Sequence, residues 1–409
     1  MLIRIHVRQL RLGMYIHELC GSWMDHPFWR GSFLLDKPHD LQTILSTGIK
    51  EVWIDDSRGL GVEGGEDRQT IAAEVETTLA QADGAGEAVE HIDVVQEAAR
   101  AIRICAKSKQ AVTSMFHEAR MGKALSAGDA LPVVEEISAS VMRNPGALIG
   151  LARLKNKDDY TYMHSVAVCA LMVALARQLG LDDEQIRLAG LAGLLHDIGK
   201  MAIPLSILNK PGKLTDAEFE TVKSHPAEGH RMLLGGSGIG EIALDVCLHH
   251  HEKVDGSGYP ERLTDAQISL YAKMGAVCDV YDAITSNRPY KNGWEPAESL
   301  RKMAEWSKGH FDTTVFHAFV KSVGIYPTGS LVRLESEHLG VIVEQTGKSL
   351  LTPVVKVFFS IRSNLRIPPE ILDLSKPSCK DRIVSHEDPE KWGIRDIHEL
   401  WSGLPAAPW

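Results

Sequence analysis

With 409 residues, 44% hydrophobic and 24% charged, the chain is long enough for two or three domains and too ordinary in composition for wholesale disorder. Its net charge of −10 argues against a nucleic-acid protein working through a basic surface, although a locally basic pocket fits inside an acidic molecule. Six scattered cysteines without a CxxC pair exclude a disulfide scaffold and a zinc finger, and they suit a reducing cytosol.

At the start of the chain, MLIRIHVRQLRLGMYI lacks the apolar core and cleavage site of a signal peptide. Leu2–Val7 alternates as a strand does, Asp40–Ser46 has a helical pattern, and Val52–Ile54 is a short apolar strand. Residues 1–66 therefore read as a small α/β domain. The Gly- and acid-rich stretches Ser57–Gly65 and Gln81–Glu87 read as linkers. From Val89 to about Leu125, Ile92, Val95, Ala99, Ile102, Ala106, Val112, Phe116 and Ala119 fall near helical spacing, so residues 67–130 are expected to be linker plus one long helix. That helix suits packing on its own domain or a homodimer through residues 89–125 equally well. Residues 131–326 read as almost all helix, with Gly180 closing one helix and Thr215-Asp216-Ala217-Glu218 forming a capped start. The longest apolar run, Val166–Ala176, falls short of the roughly 20 residues of a membrane span, and a cytoplasmic protein is expected. After Tyr326-Pro327 the pattern turns to strands at Ser330–Leu334, Gly340–Glu344 and Val354–Phe359. Residues 327–409 thus read as a β-rich extension, with an irregular tail from about residue 380. The expected fold class is mainly α.

Residues capable of chemistry gather in the helical part. His164 is read as opening a helix over Ser165–Gln178, and His196-Asp197 as ending the apolar helix Ile186–Leu195. His225 starts another, His250-His251 end the helix from about Gly240, and Asp279 lies within Ala272–Ile284. Imidazole and carboxylate without thiolate favour iron, manganese, nickel or zinc. Two adjacent ligands project about 100° apart on a helix, which suits two neighbouring ions better than one. Ions about 4 Å apart activate water and stabilise both oxygens of an in-line displacement at phosphorus. Asp197 and Lys200 share a face, and Lys200, Arg288 and Lys291 are the phosphate-type residues. Any one of 18 histidines is ordinary, and His249 is read as a non-ligand. As a set they are not ordinary, because Asp197 and Asp279 lie in apolar helices where an uncompensated carboxylate is costly. Competing motifs fail: Gly236-Ser237-Gly238-Ile239-Gly240 is no dinucleotide fingerprint, and Leu194 and Met201 break a P-loop reading of Gly199-Lys200.

The segments Tyr160–Ser165, His196-Asp197-Ile198-Gly199-Lys200, Lys210–Thr215, His225-Pro226, His250-His251-Glu252, Asp255-Gly256-Ser257-Gly258-Tyr259-Pro260, Asp279–Ala283 and Arg288-Pro289-Tyr290 resemble the HD-GYP family. These are cyclic di-GMP phosphodiesterases within the HD phosphohydrolase superfamily. Leu10-Arg11-Leu12-Gly13-Met14-Tyr15 and Trp23…His26-Pro27-Phe28 resemble the small domain often found ahead of HD-GYP modules.

The resemblance implies an HD-type helical catalytic domain holding two divalent ions, iron or manganese ahead of nickel or zinc. His164, His196, Asp197, His225, His250, His251 and Asp279 match the metal positions, with Asp197 bridging. Lys200 matches the residue facing the scissile phosphate, Gly258-Tyr259-Pro260 the groove lining, and Arg288 and Lys291 the phosphate contacts. The implied reaction opens cyclic di-GMP to pGpG, with GMP as a further product, and lowers a bacterial second messenger. A receptor or adaptor with little turnover is the alternative, and protein partners such as diguanylate cyclase domains fit either reading. Two departures stand out. Arg262-Leu263 and Asp265 occupy positions where the family commonly has Gly-Leu and a second Gly, which bears on groove shape. Tyr160 stands where some members carry a Glu for a third metal, so two ions are expected rather than three.

Overall fold

The computed structural model describes residues 1–21, 32–62, 64–82, 92–153, 160–210, 212, 214–286, 293–346 and 349–405. The Gln81–Glu87 linker from residue 83 on, Trp23…His26-Pro27-Phe28, Pro211, Lys213, Arg288 and Lys291 lie outside them.

The chain forms two compact units, one of residues 1–80 with 301–310 and one of residues 81–300 with 311–409. In the first, strands β1 (Leu2–His6), β2 (Tyr15–Leu19) and β3 (Phe33–Leu34) precede helix α1 (Pro38–Ser46). Strands β4 (Glu51–Asp55) and β5 (Glu66–Asp67) and helix α2 (Arg68–Gln81) follow. The sheet is antiparallel in the order β3-β2-β4-β1-β5. Its alternation buries Ile5, Ile16, Val52 and Ile54 against Ile44 of α1, as a half-buried sheet requires.

The second unit begins with α3 (Val94–Arg120), α4 (Ala127–Arg143) and α5 (Pro145–Ala152). α3 is shorter than the expected 89–125, and its apolar stripe (Ala98, Ala101, Cys105, Val112, Phe116) is buried within its own unit. Then come α6 (Tyr160–Gln178), α7 (Asp183–Leu195), a 3-10 turn (Ile198–Ala202), α8 (Leu205–Leu208), α9 (Asp216–Lys223), α10 (His225–Leu234) and α11 (Glu241–His249). α12 (Leu270–Thr285), α13 (Pro296–His310, which enters the first unit at residue 301) and α14 (Thr313–Val323) complete the helices before the C-terminal strands. α6 is buried continuously from Met163 to Ala176. The long apolar run is thus a helix apolar all round because it is surrounded by other helices. It begins at Tyr160, so His164 lies one turn inside it rather than at its opening. No helix among the described residues is long and apolar enough to cross a membrane.

Strands β6 (Leu331–Leu334), β7 (His338–Glu344), β8 (Val354–Ser360), β9 (Leu365–Asp373) and β10 (Ile383–Glu387) form an antiparallel sheet in the order β10-β6-β7-β8-β9, and α15 (Ile397–Ser402) follows. Residues 380–405 are therefore not an irregular tail. β10 pairs with β6, and Trp401 is buried in the unit's core. Pro368 and Pro369 hide β9 in the sequence, and its edge position is what tolerates them.

Glu97 of α3 is fully buried and accepts from Arg143 Nε at 2.7 Å, Arg143 Nη2 at 2.8 Å and Ser140 Oγ at 2.7 Å. Burial favours its neutral form, yet Arg143 and Ser140 hold it below the usual carboxylate range. Arg143→Ala should leave that carboxylate with Ser140 and a longer pair to Arg100 at 3.5 Å, and cost about 1.5–3 kcal/mol in urea unfolding. In wild type the pair's contribution is present above the unfolded glutamate value of about 4.3 and lost as pH falls through the lower folded one. Equal stability of variant and wild type at neutral pH would refute the role.

Candidate metal centre

Five helices and the turn after α7 converge on one buried point. α7 ends at His196, and Asp197 follows as the turn begins. Gly199 in that turn has no room for a side chain: a Cβ there would lie 1.8 Å from the His225 carbonyl oxygen. The close approach this permits seats the start of α10, and so His225, beside Asp197. α11 delivers His250 and His251, α6 delivers His164, and α12 delivers Asp279. All seven expected ligands are buried, and the structure brings them together.

Their atoms fall into two groups on either side of Asp197. Asp197 Oδ2 lies 3.3 Å from His164 Nε2 and 3.4 Å from His196 Nε2, with Asp279 Oδ1 3.0 Å from His164 Nε2. Asp197 Oδ1 lies 3.2 Å from His225 Nε2 and 3.9 Å from His250 Nε2, and His251 completes that side.

The ring tautomers explain why nitrogens face nitrogens. Nδ1–H of His196 donates to the Gly193 carbonyl at 2.8 Å, that of His225 to Val222 at 2.8 Å, and that of His250 to Val246 at 3.0 Å. His164 Nδ1–H donates to Asp282 Oδ2 at 2.6 Å. In the neutral ring each Nε2 then carries a lone pair directed inward, and the facing nitrogens lie only 3.2 Å apart (His164, His196) and 3.3 Å apart (His225, His250). Nitrogens so opposed need a shared proton or a metal ion between them. Asp197 Oδ1 is also buried and accepts no hydrogen bond, which costs free energy in a closed protein and suits a metal ligand. The donor set thus fits divalent ions.

Electrostatics point the same way. Burial opposes ionisation of Asp197, but Lys200 and His196 hold it well below the usual carboxylate range. Asp279 is lowered against burial by His164 and His196. Burial, with His196 and His225 nearby, pushes His250 down to about 3, and burial and His250 lower His251. Against burial, Asp197 draws His196 up to about 10, so the pocket demands positive charge that a metal or a proton can meet.

At the mouth, Lys200 Nζ donates to Asp197 Oδ2. Tyr259 stacks on His251 with ring centroids 4.8 Å apart. Glu252, buried, holds the loop bearing Tyr259 by accepting from the backbone N–H groups of Glu261 (2.7 Å), Arg262 (3.0 Å) and Leu263 (3.0 Å). A Cβ on Gly258 would lie 2.4 Å from the Lys253 nitrogen, so the loop lies directly on that backbone. Arg262 has φ of +58°, a left-handed conformation costing a non-glycine residue about 1–2 kcal/mol. Arg262 thus takes up a conformation that glycine adopts without strain, and its backbone N–H still bonds Glu252.

His249 stands apart from the ligand groups: its Nδ1 lies 2.7 Å from Asp245 Oδ1. Two functional residues lacked an assigned role in the sequence reading. Asp282 lies one helical turn after Asp279, and its signal is a second buried carboxylate in an apolar helix; Glu252 follows the His-His pair directly. The expectation of two ions rather than three rests on Tyr160, whose side chain lies outside the described residues.

Residues 141–315 match the HD domain model, and residues 2–130 match a domain of unknown function, DUF3391. The chain is similar to a cyclic di-GMP phosphodiesterase of Pseudomonas aeruginosa, 58% identical over 99% of this chain and 96% of that protein. It is also similar to a cyclic di-GMP phosphodiesterase response regulator of Xanthomonas campestris pv. campestris, 47% identical over 29% of this chain and 32% of that one. A 3'3'-cGAMP-specific phosphodiesterase of Vibrio cholerae is 37% identical over 44% of this chain and 42% of its own length.

Because Asp282 fixes the tautomer and orientation of His164, Asp282→Asn should weaken metal binding roughly 10- to 100-fold. Metal titration of apo protein, followed by calorimetry, reads this directly. Unchanged affinity for every ion would remove Asp282 from the centre.

Proposed function

The chain belongs to the HD-GYP family of HD-domain phosphohydrolases, and on that premise we propose that it hydrolyses cyclic di-GMP to pGpG, with GMP as a further product. The observation that carries the reading is the Asp197 carboxylate, whose two oxygens face two separate histidine groups. His164, His196, Asp279 and Asp197 Oδ2 would hold one divalent ion, and His225, His250, His251 and Asp197 Oδ1 the other. The nitrogen and oxygen donor set accommodates iron, manganese, nickel or zinc, and the family resemblance puts iron or manganese first. Ions bound there supply Lewis acidity and a nucleophile from water at neutral pH.

The chain's own residues do the remaining work. Lys200, poised against Asp197, can turn to a phosphate oxygen and offset the charge that develops in the displacement. Tyr259 and Gly258-Tyr259-Pro260 wall the groove beside His251, in a position to meet a base or ribose face. Glu252 excludes slack from that wall. Arg288 and Lys291 are assigned to the phosphates of the dinucleotide. The protein's net charge of −10 makes such local cations necessary for an anionic substrate. A receptor with little turnover has no need of a complete, buried ligand set, which counts against that alternative. The β-rich extension and the small N-terminal domain are assigned no chemistry.

Turnover of cyclic di-GMP and 3'3'-cGAMP by metal-loaded protein tests the reading: cyclic di-GMP should be the better substrate by kcat/KM. Asp197→Ala should abolish hydrolysis and lower metal content while helical content, read by circular dichroism, stays near wild type. Wild-type turnover by that variant with its metals bound would contradict the assignment. Arg288→Ala and Lys291→Ala should weaken apparent substrate affinity about ten- to a hundredfold, since a charge-assisted phosphate contact contributes roughly 1.5–3 kcal/mol. Metal content should not change, and unaltered substrate affinity in both variants would exclude these residues from the groove.

A further inference from the structure

The last residue of α3 reaches the turn that carries Lys200. Arg120 donates from Nη1 to the Ile203 carbonyl at 3.2 Å and from Nη2 to the Lys200 carbonyl at 3.3 Å, and Nη2 lies 3.7 Å from Met201 Sδ. Both carbonyls belong to the short 3-10 segment and its cap. That segment's own bonds run from Lys200 N to Asp197 O at 3.0 Å and from Ile203 N to Lys200 O at 3.2 Å. A five-residue 3-10 segment is weakly held by itself, because its hydrogen-bond geometry is poor. Gly199, its second residue, has no side chain and lies directly on the α10 backbone. α10 packs against one side of the turn, and the guanidinium adds a restraint on its carbonyls from α3.

Two further features fit such a restraint. Arg120 has no carboxylate partner in an ion pair among the described residues, so its charge is directed at the turn. One turn earlier, buried Phe116 packs edge-on against Tyr162 of α6, with centroids 5.9 Å apart. The end of α3 is thereby fixed to the helix that carries His164. Arg120 lies within the residues matching the domain of unknown function and outside residues 141–315 of the HD domain.

We propose that Arg120 is a positioning residue for phosphodiester hydrolysis: it locks the Ile198–Ala202 turn so that Lys200 is aimed across Asp197 at the substrate phosphate. The catalytic unit thus borrows a part from the helix ahead of the HD domain. The proposal rests on the hydrolytic reading above and on the role of Lys200 within it.

A double-mutant cycle on full-length, metal-loaded protein tests it. Arg120→Ala should lower kcat for cyclic di-GMP about ten- to a hundredfold, as small misplacements of catalytic groups do, with KM and metal stoichiometry little changed. Arg120→Lys, which keeps one donor, should recover part of the loss. In a Lys200→Ala background, Arg120→Ala should cost little more, because both changes remove one interaction. Full additivity, or wild-type kcat in Arg120→Ala, would overturn the proposal. A lower melting temperature with unchanged kcat would also overturn it, by assigning Arg120 a structural role alone. Should Arg120→Ala fail to fold, the cycle is run with Arg120→Lys, and additivity there is equally decisive. A wild type inactive on cyclic di-GMP would sink the functional reading as well; an active wild type with additive variants sinks only the Arg120 assignment.

Discussion

A buried carboxylate shared between two sets of imidazoles is the constraint around which the second unit is organised. Asp197 is almost fully shielded from water, and one of its oxygens accepts no hydrogen bond. A negative charge so placed is tolerable only with positive charge beside it. Lys200 provides one, and the inward lone pairs of His164, His196, His225 and His250 prepare places for more. Burial, tautomer and charge all press toward the same outcome, which is why this cluster carries more weight than its residues would singly.

The surrounding fold keeps those groups from relaxing. α6 and α12 are buried nearly all round, so His164 and Asp279 project from helices with little freedom to rotate. The Nδ1 atoms of His164, His196, His225 and His250 are tied to backbone carbonyls or to Asp282, which sets ring orientation as well as tautomer. Glu252 gives the groove wall similar rigidity through three backbone bonds. Restraint is thus strongest at the ligands and extends outward to the residues that would meet substrate.

Much of the centre was legible in the sequence because metal ligation demands specific side chains at specific helix positions. His196-Asp197 and His250-His251 stand at helix ends, where adjacent residues can face one interior, and Asp279 is conspicuous in an apolar helix. Restraining residues are harder to read. Asp282 resembles any helical carboxylate until His164 is found 2.6 Å away, and Arg120 resembles an ordinary basic residue at a helix C-terminus. The fold was legible where apolar residues run unbroken, as in α6 and β7. It was obscured where local signals conflict with tertiary context: the prolines of edge strand β9, the short polar β10, and Trp401, whose burial depends on contacts distant in sequence.

The sharing of Asp197 is open to direct observation. Anomalous scattering from crystals of protein purified without oxygen would locate each ion against the carboxylate. The account predicts two ions, each within roughly 2.0–2.2 Å of a different Asp197 oxygen and completed by histidine nitrogens. A single ion, two ions that do not share Asp197, or a third ion held by protein ligands would contradict it.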